Sequence, residues 1–461
     1  MINKKIIKVL LLIGDIILMY GALFLTLSLR YGDFHFPPGP NYLFPHFILN
    51  FTLIFLIWTL VLFILTLYDS PVIRNINLFF RNLIIFIMIA LAFGTIYFYL
   101  QPKLKITPKT ILVLDIFIFS LLFCLWRYIF SRILKLKNLT EKIAIIGFRP
   151  GLKELINNNF ISHAGYEISA FLNPGLSFSE ELLPLSKSAK YGVISDINEL
   201  KNIIKKEGIT SVIFPQFLHK NENLIQQIFA TLSLRLNYIS FADFYENLAK
   251  KVPIEAVNES WFLKNISRPE KRLERILKRG LDVLFSFIGL IITILLFPFI
   301  AFTIKLDSQG SIFYIQKRAG RDKKVFSLYK FRTMKNSQNQ DKELWRENDF
   351  SQITRVGRFL RKSLLDELPQ FYNILKGDMS FVGPRPEWIE LVKIFEKEIP
   401  FYSLRCIVKP GITGWAQLNF PASTSIKEAK EKFKYDLYYI KNRSFFLDIG
   451  IILKTIRLIF K

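Results

Sequence analysis

Two adjacent carboxylates, Asp366 and Glu367, sit in the stretch RKSLLDELPQFYNILKGDMSFVGPRP (361–386), with Arg361, Lys362 and Arg385 around them. All four histidines (His35, His46, His163, His219) precede residue 220, so the C-terminal half has no imidazole to use as base, relay or metal ligand. Acid-base, nucleophilic or metal chemistry there falls to carboxylates, Lys or Tyr. Carboxylates ringed by guanidinium groups suit a divalent cation and a phosphorylated substrate. An ionised Asp is a competent nucleophile once a metal and arginines have neutralised the phosphorus centre. Asp-Glu also makes a good helix cap; the flanking Arg361 and Arg385 and the missing histidines favour chemistry.

The elements that must position the pair follow from turn chemistry. Pro369 is tolerated only in the first turn of a helix, so the spacing predicts a helix from about Asp366 that stops at Gly377. The carboxylates then lie at the positive end of its dipole, where a phosphate is also favoured. Gly383-Pro384-Arg385-Pro386 is a rigid turn that fixes one guanidinium. FYIQKRAGRDKKVFSLYKFRTM (313–334) adds Arg318, Lys330 and Arg332, interleaved with aromatic residues. Such interleaving also suits single-stranded nucleic acid. KPGITGWAQLNF (409–420) has turn-forming Pro410, Gly411 and Gly414 before Trp415 and Gln417; it could hold a base or sugar, or be an ordinary tight turn. Asp436 and Asp448 lie in YDLYYIKNRSFFLDIGIILKTIRLIF, where an amphipathic helix on a membrane would pair its acids with Lys or Arg.

The composition places this chemistry at a membrane. Of 461 residues 51% are apolar and 46 are Phe, which explains a net charge of +25 better by an anionic leaflet and anionic substrates than by nucleic acid. Cys124 and Cys406 form no disulfide framework and read as packing residues. Apolar runs at 6–29, 47–68, 78–100 and 110–130 each have the length of a transmembrane helix. Lys4, Lys5 and Lys8 precede the first run without a small-residue cleavage site, which points to an uncleaved signal anchor. Asp15 and Asp115 interrupt the first and fourth runs, facing the bundle interior or forming a polar path. Arg127, Arg132, Lys135 and Lys137 put the end of the bundle inside, as do Arg74 and Arg81; Lys103, Lys105 and Lys109 disagree.

Strands alternate with helices over 141–250: EKIAIIGF, YEISAFLNP, INELKNIIKKEG, ITSVIFPQ and NYISFADFYENLA. This predicts a parallel sheet with crossover helices. Its first turn, Gly147 to Arg149-Pro150-Gly151, lacks the three-glycine spacing of a dinucleotide site. It serves packing or regulation, or senses a nucleotide weakly. Next, Arg268, Lys271, Arg272, Arg275, Lys278 and Arg279 precede the apolar run 281–304, and Lys305, Lys317, Arg318, Arg321, Lys323 and Lys324 follow it. Basic flanks on both sides and Pro298 inside predict a re-entrant helix that bends at the proline and returns to the side it entered from.

KRGLDV, QKRAGR, KFRTM, LDELPQ, GDMSFVGPRP, PGITGWAQ and YDLYYI together resemble the bacterial sugar transferases, the polyprenyl-phosphate glycosyl-1-phosphate or monotopic phosphoglycosyl transferases, over about 270–461. The four spans and degenerate Rossmann-like part resemble the large members that prime exopolysaccharide and O-antigen synthesis. The fold expected is a membrane protein of mixed α and α/β class. It has a four-helix transmembrane bundle (1–135) and a degenerate Rossmann-like, CoA-binding-like parallel α/β cytoplasmic domain (140–255). A mainly helical catalytic domain (268–461) carries the re-entrant helix 281–304.

The resemblance implies that Asp366 attacks the β-phosphate of a UDP-sugar, giving a covalent phosphosugar-aspartate and UMP, and that undecaprenyl phosphate then takes the hexose-1-phosphate. It implies Mg²⁺ bridging Asp366 and the diphosphate, supported by Glu367. Arg361, Arg385 and Arg332 would hold phosphates, with Lys330 and Arg318 beside them. Asp436, Asp448 and Gln417 would have supporting roles, and Pro298 the helix break, with Phe297 where a small polar residue often precedes it. Anionic inner-membrane lipids and a homodimer are the other expected partners, with no nucleic acid, in the bacterial cytoplasmic membrane with the catalytic domain inside. The competing readings are a simple glycosyltransferase, which would release UDP, and a membrane scaffold or nucleotide-sensing regulator of polysaccharide export.

Overall fold

The computed structural model describes residues 4–31, 44–65, 67–68, 76–99, 109–136, 141–147, 150–172, 193–194, 199–215, 222–266, 272–335, 352–421 and 425–459. Arg74, Lys103, Lys105, Lys137, Arg149, Arg268 and Lys271, used above for topology and turns, lie outside them. The chain forms two compact units, Met1–Glu141 with Ser162–Tyr166, and Lys142–Ile161 with Glu167–Lys461.

The first unit is helical: α1 (Lys4–Tyr31), α2 (Phe44–Ile64), α3 (Ile76–Tyr99) and α4 (Lys109–Leu136). Segments Val9–Arg30, Phe79–Tyr99 and Thr110–Phe130 are long and apolar enough to cross a membrane, and so is the later helix Arg272–Asp307; Ile48–Ile64 of α2 is apolar but shorter. Phe51, Trp58, Phe86, Phe119 and Phe123 pack at the centre of this unit. Asp15 faces inward and pairs with Arg127 at 2.7 Å, both buried. Arg127 stacks on Phe123 as well. It therefore cannot serve as a free flanking charge that marks a membrane side. Inside an apolar bundle a charge must be paired, and this one is spent on Asp15. Asp115 also points inward, and its carboxylate has no partner among the described residues.

A five-stranded sheet follows, in the order β3-β2-β1-β4-β5. Its strands are β1 (Glu141–Ile146), β2 (Tyr166–Leu172), β3 (Val193–Ile194), β4 (Ser211–Phe214) and β5 (Asn237–Ser240). β1 runs parallel to β4 with Ile143 opposite Ser211, and β4 parallel to β5 with Ser211 opposite Asn237. The helices between them are α5 (Pro150–Asn157), α6 (Phe160–His163), α7 (Leu200–Glu207) and α8 (Glu222–Ala230). Ala144, Ile146, Ala170, Leu172, Leu200, Ile204 and Val212 form the core. Strands covered by crossover helices read as short continuous apolar runs, which is why EKIAII and SVIF gave no alternation. After β5 the Ser240 hydroxyl caps α9 (Phe241–Ala249) by accepting from the Asp243 amide.

The C-terminal part begins with α10 (Glu259–Ile266) and the 36-residue α11 (Arg272–Asp307). The antiparallel hairpin β6 (Phe313–Ala319) and β7 (Val325–Phe331) is followed by α12 (Arg355–Lys362), a 3₁₀ turn (Leu365–Glu367) and α13 (Gln370–Lys376). Then come β8 (Ser380–Val382), α14 (Ile389–Glu398), β9 (Gly411–Thr413), α15 (Trp415–Asn419), α16 (Ile426–Asn442) and α17 (Phe445–Ile459), with β8 and β9 paired in parallel.

α11 runs as one helix through Pro298, which removes a hydrogen bond without ending the helix. Both of its ends meet the C-terminal domain, at different elements. Near the start Asp282 accepts from the Ser380 hydroxyl and the Phe381 amide, at 3.0 and 2.8 Å. At the end Asp307 accepts from the Val356 amide at 2.8 Å. Between them Ser286, Gly289, Thr293, Ile300 and Ile304 are buried, whereas Leu284, Phe287, Ile294, Leu295, Phe299 and Phe302 are exposed. Gly289 allows the closest approach, since a Cβ there would stand 2.5 Å from the Phe371 ring of α13. The helix thus lies along its domain and turns an apolar face away from it.

Candidate active site

The dyad is not in the first turn of a helix, as the proline suggested. Pro369 is the cap of α13 rather than its first residue, and Asp366 and Glu367 occupy the 3₁₀ turn before it. Leu364 enters that turn at φ 56°, a left-handed conformation that costs a branched residue about 1–2 kcal/mol. α12 ends just upstream, so Arg361 on its last turn faces the same region, with its Nε donating to the Thr333 hydroxyl at 2.9 Å. Gly377, at φ 96°, stops α13 as the sequence predicts.

The two carboxylates differ in kind. Glu367 Oε1 accepts from Lys330 Nζ at 3.1 Å and from Arg385 at 3.0 Å. Burial would raise its pKa, but Lys330 and Arg385 outweigh that and hold it down at about 2. Asp366 is 7% exposed and has no hydrogen bond or ion pair among the described residues. Burial pushes its pKa up to about 6, Lys330, Arg385 and Arg361 pull against that, and the neighbouring Glu367 charge adds to it. One acid is therefore a clamp that aims two cations, and the other is a free carboxylate in the field of those cations.

The cations come from separate elements. Lys330 lies on β7 opposite Tyr314. Arg385 projects from the Gly383–Pro386 turn, whose carbonyls are held one after another. Lys278 and Tyr439 donate to Val382 O at 3.0 and 3.1 Å. The Gly411 amide donates to Pro384 O, Arg405 to Arg385 O and Arg318 to Pro386 O, at 2.9, 2.9 and 3.2 Å.

This row of bonds assigns places to residues that the sequence placed at the phosphates or left open. Arg318 holds the turn, stacks over Trp388 and does not face Asp366. Asp436 pairs with Arg405 at 3.0 Å, so it too acts on the turn. Asp448 accepts from Tyr439 at 2.8 Å and pairs with Lys278 at 2.5 Å, bracing the turn from its other side. Asp436 and Asp448 sit on two helices, α16 and α17, and both are buried, unlike acids on a single surface helix. Gln417 donates to Ile412 O at 2.7 Å and braces the 409–414 turn. Arg332 departs most: it points to the end of α11, donating to Ser308 O at 2.6 Å and its hydroxyl at 3.0 Å. It lies two residues after Lys330, just beyond the end of β7 at Phe331, so the strand no longer fixes its direction.

Sequence reasoning missed Asp282, Glu387 and Arg405. Glu387 gathers Lys432 at 2.8 Å and Arg405 at 3.5 Å, and those cations hold its carboxyl low against the burial that would raise it. Asp282 had a readable signal, because an acid opening an apolar run needs a partner.

A hard divalent ion needs one or two carboxylates plus phosphate oxygens. Asp366 fits that demand, being unpartnered. Glu367 fits it poorly, because Lys330 and Arg385 already occupy its Oε1. No group of three or more metal-ligating side chains occurs among the described residues. Any such ion would lean mainly on substrate oxygens.

Helices long and apolar enough to cross a membrane thus accompany a domain that surrounds one bare carboxylate with fixed cations. A profile described as bacterial sugar transferase matches residues 273–461. An uncharacterized sugar transferase of Bacillus subtilis is 39% identical over 182 residues, which cover 40% of this chain and 86% of that protein. The chain belongs to the bacterial sugar transferase family. It is also 41% identical over 215 residues to the UDP-N-acetylgalactosamine-undecaprenyl-phosphate N-acetylgalactosaminephosphotransferase of Aeromonas hydrophila, covering 46% of this chain and 50% of that one. The UDP-glucose:undecaprenyl-phosphate glucose-1-phosphate transferase of Escherichia coli is 40% identical over 190 residues, 41% of each chain. The chain thus spans half or less of the length of these two relatives.

Proposed function

We propose that the protein is an undecaprenyl-phosphate hexose-1-phosphate transferase that starts a polysaccharide repeat unit for exopolysaccharide, capsule or O-antigen. It works at the bacterial cytoplasmic membrane with its C-terminal domain inside. A carboxylate oxygen of Asp366 attacks the β-phosphorus of a UDP-sugar. The bond from that phosphorus to the bridging oxygen breaks, and its electron pair leaves on UMP. A phosphate oxygen of the lipid then attacks the same phosphorus, and Asp366 leaves as a carboxylate. One phosphate linkage replaces another, with no redox change and no ATP. The observation that carries the reading is Asp366 itself, buried, without a hydrogen-bond or ion-pair partner among the described residues, and beside Lys330, Arg385 and Arg361.

Lys330 and Arg385, aimed by Glu367, neutralise the anionic phosphates so that a carboxylate can approach them, and Arg361 adds to the same field. Because their positions are fixed before substrate arrives, little reorganisation is needed in the transition state. Asp366 would be the protein's holder for a Mg²⁺ ion, which would supply further positive charge at the phosphorus. The apolar face of α11 inserts in one leaflet, so that both its ends stay on the cytoplasmic side and the lipid phosphate meets the site at the interface.

The test uses membranes carrying the full chain, undecaprenyl phosphate and a panel of UDP-sugars, with UMP as readout. Asp366→Asn abolishes UMP release while membrane insertion persists, and wild-type enzyme quenched without lipid acceptor carries sugar phosphate. UMP release by Asp366→Asn at a near-normal rate would overturn the nucleophile. Labels at the two ends of α11 react from the same side; labelling from opposite sides contradicts the one-leaflet placement.

A further inference from the structure

A second group of cations lies at the other end of α13. Lys409 is half-buried and has no hydrogen bond or ion pair among the described residues. Its ammonium and the Arg279 guanidinium stand 3.5 and 3.9 Å from the place a Cβ would take at Gly377, close enough for one phosphate to bridge them. Among the described residues Arg279 bonds only to main-chain carbonyls, those of Ile374 and Leu375, and pairs with no carboxylate. Burial lowers the pKa of Lys409, and Arg279 and Arg321 lower it further. The acids that face it, Asp282 and Asp378, work in the other direction but are engaged: Asp282 by Ser380 and Phe381, Asp378 by Lys376 at 3.0 Å.

From Arg275 and Arg279 an open groove of about 730 Å³ runs along α11 past Gly280 to Leu284 and Phe287. Its lining is apolar beyond the two arginines. Gly280 lies exposed in its lining, and a Cβ there would meet nothing within 4 Å. Cations at one end and an apolar trough leading away from them match an anionic headgroup on a hydrocarbon chain. The whole length of α13, about 10 Å for its seven residues, separates this group from the dyad. A phosphate held there does not reach Asp366, which argues against the acceptor lipid and for a resident lipid of the bilayer.

We infer that Arg275, Arg279 and Lys409 bind the phosphate of an anionic membrane phospholipid whose chain lies in the groove of α11 over Gly280. This lipid is not consumed; it fixes the depth at which the domain sits in the leaflet.

The test is native mass spectrometry of the full chain released from nanodiscs of equal phosphatidylglycerol and phosphatidylcholine. Wild-type protein keeps one phosphatidylglycerol. Lys409→Met lowers that retention about tenfold, the loss of one charge-assisted hydrogen bond. Gly280→Leu fills the groove at that point without a clash, favours the helix, and abolishes retention while circular dichroism and the melting curve stay native. Asp366→Asn keeps the lipid, which separates this inference from the proposed reaction. Equal retention of the two lipids, or unchanged retention in both groove variants, overturns it. So does retention of added undecaprenyl phosphate in place of phosphatidylglycerol, which would make the groove an acceptor site.

Discussion

Asp366 ought to be a liability to the fold, and removing its charge tests that directly. Burial raises its pKa from 3.8 to about 6. At about 1.36 kcal/mol per unit, holding it ionised at neutral pH costs the folded state about 3 kcal/mol. For an acid whose folded pKa is raised, this penalty is complete above the folded value near 6. It disappears as the pH falls towards 3.8, where folded and unfolded chains are both protonated. Asp366→Asn keeps the shape and removes the charge, so the variant is more stable at pH 7.5 by up to about 3 kcal/mol. In a domain of this size that is a rise of roughly 6–12 °C in melting temperature. The assay is thermal unfolding of wild type and variant in the same detergent at pH 7.5 and pH 5, followed by a probe in the C-terminal domain. The gap must narrow at the lower pH. A variant that melts with or below wild type at pH 7.5, or a gap independent of pH, refutes the claim that this carboxylate is held charged against its surroundings.

Three further outcomes follow from the same geometry. UMP release falls about tenfold per pH unit below pH 6, as Asp366 takes up its proton; a rate that holds level down to pH 5 contradicts the assignment. Turnover stops in EDTA and returns with added Mg²⁺, and full activity in the chelator removes the metal from the account. Arg405→Met leaves Asp436 buried and unpaired, lowering stability by about 3–5 kcal/mol and freeing the Arg385 carbonyl, while Arg405→Met with Asp436→Leu restores most of the stability but not the rate. Recovery of both in the double variant would show that Arg405 does not position Arg385.

What the sequence made legible was local. The Gly383–Pro386 turn, the stop at Gly377 and the adjacency of Asp366 and Glu367 depend on neighbours along the chain, and the structure has them where the sequence suggested. The sheet strands and the apolar helices were readable because each is a continuous apolar run, short in the strands and of membrane-crossing length in the helices. The roles of the cations were not, because a charge is committed by whatever lies opposite it in space. Arg332 and Lys330 look equivalent in KFRTM, yet one meets Ser308 and the other Glu367. Arg127 looked like a membrane-edge residue until Asp15, on another helix, took it up. Asp436 and Asp448 could be seen to need basic partners, but not that Arg405 and Lys278 would carry their influence to one stretch of main chain.

That stretch, Val382 to Pro386, is secured by donors from α11, β6, the 402–407 turn, β9 and α16. During synthesis Asp366 is made well before Asp436, Tyr439 and Asp448. A nascent chain therefore carries that carboxylate beside an Arg385 turn that still lacks its Arg405–Asp436 and Tyr439–Asp448 supports. The turn is held in full only once α16 and α17 dock, and under the proposed reaction a growing polypeptide then spends no activated sugar before its own assembly is finished.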